Sequence, residues 1–147
     1  MGGSARLLGF AGLAPAAAAA ILIALGERMA VIVSVFYPLL ILSFLGGIWW
    51  GFAMRTPARQ GVLATIAVVP SLVAMALGAG VLMTQGSGWS LVAIGVALML
   101  TLPVDRWLVT HGIAPPGWMA LRVPLSLGLG AVTILAGALI GHPEVQY

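Results

Sequence analysis

The sequence predicts an all-α integral membrane protein, a five-helix up-down bundle, on three observations. Hydrophobic types make up 62% of the 147 residues and charged types only 6%, against roughly 25% charged in a soluble domain. Mean hydropathy is accordingly high, at +1.18. The apolar residues gather into five stretches, 7–25, 29–54, 61–83, 89–109 and 118–140, each close to the ~20 residues a helix needs to cross roughly 30 Å of hydrocarbon. The connections between them are short, which makes successive helices antiparallel and leaves no room for an extramembrane domain. Residues 1–147 therefore read as a single transmembrane domain. This composition excludes an ordinary cytosolic enzyme, a disordered chain and a nucleic-acid reader. The calculated pI near 10.7 rests on six Arg and no Lys, with no basic run, so it does not indicate a nucleic-acid partner.

Backbone polar groups have no partners in lipid, so each stretch is expected to be helical throughout. The first, 7–25, follows Arg6 and contains the alanine run 16–20. Those features also fit a cleavable leader, but the apolar run continues to Leu25, long enough to span. The remaining four stretches carry small or weakly polar residues at spacings of three and four, which places each set on one helix face. In 29–54 these are Ser43, Gly47 and Gly51; in 61–83, Ala64, Ala67, Ser71, Ala74 and Gly78. In 89–109 they are Ser90, Ala93, Ala97, Thr101 and then Asp105; in 118–140, Arg122, Ser126, Gly130, Thr133, Gly137 and, just beyond, Gly141. Small faces allow the close backbone approach that associates helices in lipid, and packing seams are the expected reading.

Every stretch also holds one proline: Pro15, Pro38, Pro70, Pro103 and Pro124. All but Pro38 fall at a common depth, roughly 10–15 Å from one membrane face at 1.5 Å per residue. Kinks there would open the bundle towards that face; prolines are also simply frequent in membrane helices.

Orientation follows from arginine. Arg6, Arg55, Arg59, Arg106 and Arg122 lie towards one side and Arg28 alone towards the other. The positive-inside rule then sets the N-terminus in the cytoplasm and the C-terminus outside, in the periplasm for a bacterial inner membrane. Trp49, Trp50, Trp107 and Trp118 fall near the same side, where indoles favour the headgroup level.

Three charges fall inside the stretches, Asp105, Arg106 and Arg122. Asp105 and Arg122 end the fourth and fifth small-residue faces, and a charge at that depth needs a partner or must snorkel. Consecutive antiparallel helices bring the two level, which predicts an intramembrane Asp105–Arg122 ion pair. Arg106, about 100° round the helix, is expected to face headgroups. Reactive chemistry is sparse: the chain has no Cys and no Lys, and His111 and His142 fall on opposite predicted sides. Ser43 and Ser71 lie in stretches without a histidine to activate them. No catalytic residue, cofactor or metal site is expected, and the protein reads as non-enzymatic.

The block 41–51, Ile-Leu-Ser-Phe-Leu-Gly-Gly-Ile-Trp-Trp-Gly, resembles the hallmark of a five-span membrane domain of unknown function found in proteobacteria, the family that includes mitochondrial transmembrane protein sixty-nine. Residues 69–72 (Val-Pro-Ser-Leu) and 115–126 (Pro-Pro-Gly-Trp-Met-Ala-Leu-Arg-Val-Pro-Leu-Ser) fit the same pattern, with Asp105 between them. The resemblance covers nearly the whole chain and implies a small multipass inner-membrane protein without implying an activity. Two functions are expected: a non-catalytic scaffold or accessory subunit of a membrane complex, or a binding protein or carrier for an apolar ligand (quinone, tetrapyrrole or lipid) in a cytoplasmic-side cavity. Candidate residues for the ligand or packing face are Tyr37, Ser43, Gly47, Trp50, Gly51 and Ser71, beside the Asp105–Arg122 pair. The lipid bilayer is the one obligatory partner.

Overall fold

A computed structural model describes residues 7, 9–84 and 88–140; Arg6, Gly141, His142 and Glu144 lie outside the described residues. Helix dominates them, with no strand among them. The elements are α1 (Ala14–Ala24), α2 (Met29–Met54), a 3-10 turn Pro57–Arg59, α3 (Gln60–Met83), α4 (Gly88–Met99), α5 (Leu102–Thr110) and α6 (Trp118–Ile140). Among the described residues, four helical units are long and apolar enough to cross a membrane: Met29–Met54, Pro57–Met83, Gly88–Thr110 and Trp118–Ile140. The chain is a multipass membrane bundle.

Two expectations change here, both at prolines. The first stretch is not an unbroken span: α1 has 11 residues, and the helical turn before it breaks at Gly12–Leu13. The fourth breaks at Leu100–Thr101, between α4 and α5. Pro15 and Pro103 each occupy the first turn of the helix that follows the break. Proline lacks the N–H that would bond four residues back, and its ring disfavours helical backbone just before it. The chain bridges both gaps with tighter bonds, Leu13 N–H to Phe10 carbonyl at 3.0 Å and Thr101 N–H to Leu98 carbonyl at 3.4 Å. Pro38, Pro70 and Pro124 instead sit inside continuous helices. The prolines therefore do not act as one set of kinks at a shared level.

Short, glycine-dependent connections fix the alternation. After α1, Gly26 takes a φ of 88°. Its N–H bonds the Ile23 carbonyl and that of Glu27 the Leu22 carbonyl, both at 2.9 Å, a Schellman ending that needs a left-handed residue. Gly112, with φ 68°, ends α5 in the same way through Gly112 N–H to Val109 and Ile113 N–H to Leu108.

Helices α2 and α3 run antiparallel, as do α4 and α6. Along α2 and α3, Ser43 pairs with Ser71 at 3.0 Å, while Gly46 faces Ala67. Along α4 and α6, Gly95 faces Gly130 and Gly88 faces Gly137. Among the described residues these two seams bring helix backbones closest together. A methyl group built on Gly46 would lie 2.5 Å from the Ala67 carbonyl oxygen; one on Gly95 would lie 2.7 Å from that of Gly130, and one on Gly137 2.5 Å from that of Gly88. Backbone approach of this kind lets dispersion act where water offers no hydrophobic drive. α1 packs on α2 and α6, and α2 also touches α4 and α6, so α2 lies nearest the centre.

The second-helix stripe needs correction. Gly47 and Gly51 are exposed, and a methyl on either would meet nothing within 4 Å. The seam runs through Gly46, one residue and about 100° away. Outside the bundle, Leu40, Phe44, Leu72, Met75 and Leu127 present apolar surface, whereas Arg28, Arg55, Arg59 and Arg106 are exposed near helix ends. Replacing Gly130 with Ile is expected to abolish the α4–α6 seam and collapse thermal stability in mild detergent. Gly47→Ile is expected to leave the monomer folded with an unchanged unfolding midpoint.

Candidate functional site

Asp105 lies on α5, one turn past the α4–α5 break, and is 0% exposed. Its position in the first turn favours a negative charge, because unpaired N–H groups there carry the positive end of the helix dipole. Arg122, one turn into α6 and 4% exposed, places its Nε 2.8 Å from Asp105 Oδ2. The other carboxylate oxygen accepts two indole N–H groups, from Trp118 at 2.8 Å and Trp49 at 3.0 Å. Arg122 Nη2 donates to Thr101 Oγ1 at 3.0 Å, and that hydroxyl donates to the Leu98 carbonyl at 2.7 Å. The α4–α5 break thus supplies a polar group to the cluster.

Local sequence puts each side chain in place. Thr101 and Asp105 are four apart, as are Trp118 and Arg122, so each pair shares a face. Pro115-Pro116-Gly117-Trp118 forms a tight turn closed by Trp118 N–H to the Pro115 carbonyl at 3.1 Å. Gly117 has a φ of 79°, which fits glycine at the third position of a type II turn after proline. That turn delivers Trp118 to the first position of α6. Phe52 then packs edge-on against the Trp118 ring, with centroids 5.5 Å apart. Leu63, Leu108 and Ala53 cluster with both tryptophans and roof the ion pair on the arginine-bearing side. Leu42, Leu98 and Leu129 of the larger core underlie it.

The remaining sequence-based candidates lie elsewhere. Tyr37 donates its hydroxyl to the Gly12 carbonyl, an acceptor beside the break before α1. Ser43 and Ser71 bond each other. Trp50 is 46% exposed on the outer face, with Gly47 and Gly51. None of the six joins the Asp105 cluster, so these candidates and the Asp105–Arg122 pair do not come together as one site. Sequence reasoning misses Trp49 and Trp118, whose place near the helix ends suggests a headgroup belt. A signal existed for both. Trp118 shares the Arg122 face, and adjacent Trp49 and Trp50 point about 100° apart, so only one can face lipid squarely.

Two cavities flank the cluster. One, about 300 Å³, lies between the start of the first helical segment, α2 and α6, with Trp118, Arg122 and Ser126 on its wall. The other, about 330 Å³, lies between α2, α3 and the α4–α5 break, with Trp49 and Thr101 on its wall. The carboxylate accepts three N–H groups, one from a guanidinium and two from indoles, and hydrogen bonds to an ionised group are among the stronger ones. Asp105→Asn is expected to cost about 3–5 kcal/mol, as for breaking one side of a buried pair. Trp118→Phe, which keeps the ring and loses the N–H, should cost about 1.5–3 kcal/mol. SDS titration of the detergent-solubilised protein measures both, and the double variant should lose less than the sum.

No curated protein and no solved structure matches the chain. Its residues 1–139 match the family described as protein of unknown function DUF3429, a match that spans both helix breaks, the Asp105 cluster and both glycine seams. The chain is a member of that DUF3429 family.

Proposed function

We propose that this protein is a non-catalytic scaffold or accessory subunit of a bacterial inner-membrane complex. The observation that carries the reading is the Asp105 carboxylate, whose two oxygens are both taken up by Trp49, Trp118 and Arg122. A carboxylate so held fastens three helices and is not poised as a general base. The outer face of α2 offers a place for a partner: Gly47 and Gly51, one turn apart, leave open space where a transmembrane helix can approach closely. The exposed Arg55, Arg59 and Arg106 support an N-terminus in the cytoplasm under the positive-inside rule. The 41–51 block supports the finer kinship with mitochondrial transmembrane protein sixty-nine. A second reading, binding of an apolar ligand, is favoured by the cavity on which Arg122 and Ser126 lie.

Native purification in mild detergent is expected to bring down another membrane protein in stoichiometric amount, and Gly47→Leu to reduce its recovery without unfolding the bundle. Recovery of a pure monomer under cross-linking conditions contradicts the subunit reading. Phosphatase fusions in the Pro57–Arg59 turn are expected to be inactive and those after Gly26 active; the reverse pattern inverts the orientation.

A further inference from the structure

We propose that the cavity beside Arg122 binds the carbonyl head of a neutral, quinone-type amphiphile, with Ser126 and Arg122 as hydrogen-bond donors and its tail leaving into lipid past Phe44. The inference rests on the ligand-binding reading and is independent of the subunit reading.

Ser126 carries the argument. It is 2% exposed, lines the cavity, and its hydroxyl has no hydrogen-bond partner. Serines and threonines inside helices commonly bond back to the carbonyl four residues earlier, as Thr133 does to Leu129 at 2.7 Å in this same helix. A buried hydroxyl left unpaired in an apolar setting is costly, and an acceptor brought by a ligand removes that cost. Arg122, one turn away on the same wall, spends Nε on Asp105 and Nη2 on Thr101. Its Nη1 has no protein partner among the described residues, so a second donor is available beside the first.

Charge selects the head. The Arg122 cation is already matched by Asp105 at 2.8 Å, so the wall offers N–H and O–H donors without net positive charge. A carboxylate or phosphate head would meet no uncompensated cation and would approach the Asp105 carboxylate. A neutral carbonyl meets both donors at no such penalty. Arg122 and Ser126 are four residues apart, about 6 Å along the helix axis, and a wall with two donors suits a ring bearing two oxygens better than a single ester. Shape selects a slender occupant, since about 300 Å³ is the small end of the usual ligand-pocket range of roughly 300–1,000 Å³. The rest of the wall is aliphatic, with Ile41, Leu45, Ile48 and Leu125. Phe44 at its edge is 63% exposed, which marks the side open to lipid. Gly9 and Gly12, beside the break at Gly12–Leu13, line the gap.

The test is titration of the full chain in nanodiscs with a decyl-chain benzoquinone, following quenching of tryptophan fluorescence, Trp118 being on the cavity wall. Saturable quenching is expected, weakened about three- to tenfold by Ser126→Ala, the loss of one hydrogen bond. Ile41→Trp, which fills the gap, should abolish it, with the unfolding midpoint of each variant measured alongside. Linear, unsaturable quenching, or identical curves for the wild-type chain and Ser126→Ala, overturns the proposal. Competition by palmitate or by a monoacylglycerol at lower concentration than the quinone overturns the head assignment, an anion in the first case and an ester in the second. A co-purifying protein bears on the subunit reading alone and leaves this titration unaffected.

Discussion

A carboxylate inside hydrocarbon must be matched group for group, and that requirement organises the arginine-bearing half of this bundle. Moving an ion from water into a medium of low dielectric costs many kcal/mol unless its charge and lone pairs are met. Asp105 is fully enclosed, and what meets it comes from three separate helical units: Trp49 from α2, the Thr101 and Asp105 pair around the α4–α5 break, and Trp118 with Arg122 from α6. Each contributor is therefore fixed in depth and in rotation about its own axis. The glycine seams act differently. They are unspecific in chemistry and strict in distance, drawing α2 against α3 and α4 against α6 without setting which groups lie level. Registry comes from polar bonds and closeness from missing side chains.

Much of the architecture was legible because its causes are local. Apolar run lengths fix the α2, α3 and α6 spans, whose observed bounds lie within a residue or so of 29–54, 61–83 and 118–140. Where a cause was tertiary, the sequence was ambiguous. Whether a membrane proline breaks a helix depends on what can satisfy the freed groups: Pro103 lies beside a break whose Thr101 hydroxyl bonds both Leu98 and Arg122, while Pro70 sits buried inside a continuous helix. Nothing in residues 66–74 distinguishes the two cases.

The candidate site divides the same way. The level of Asp105 and Arg122 followed from antiparallel alternation and helical rise alone. The indole donors did not, because a tryptophan near a helix end has two good uses, the headgroup layer and an inward hydrogen bond, and only packing decides. Trp49 and Trp50 illustrate this side by side: one is 3% exposed and bonded to Asp105, the other 46% exposed. Gly46 and Gly47 repeat the lesson for small residues, since a stripe counted one position off lands on the lipid face.

The tight hairpin from α5 through Gly117 into α6 has a consequence for biosynthesis. Thr101, Asp105, Trp118 and Arg122 all lie within one short stretch of chain, so the acid and its cation leave the ribosome close together. An unpaired aspartate within an inserting helix is costly, and that burden lasts only until the following segment enters. The last two membrane segments can thus partition with the acid already paired, and Trp49, already in place on an earlier segment, completes the enclosure when the two halves of the chain come together.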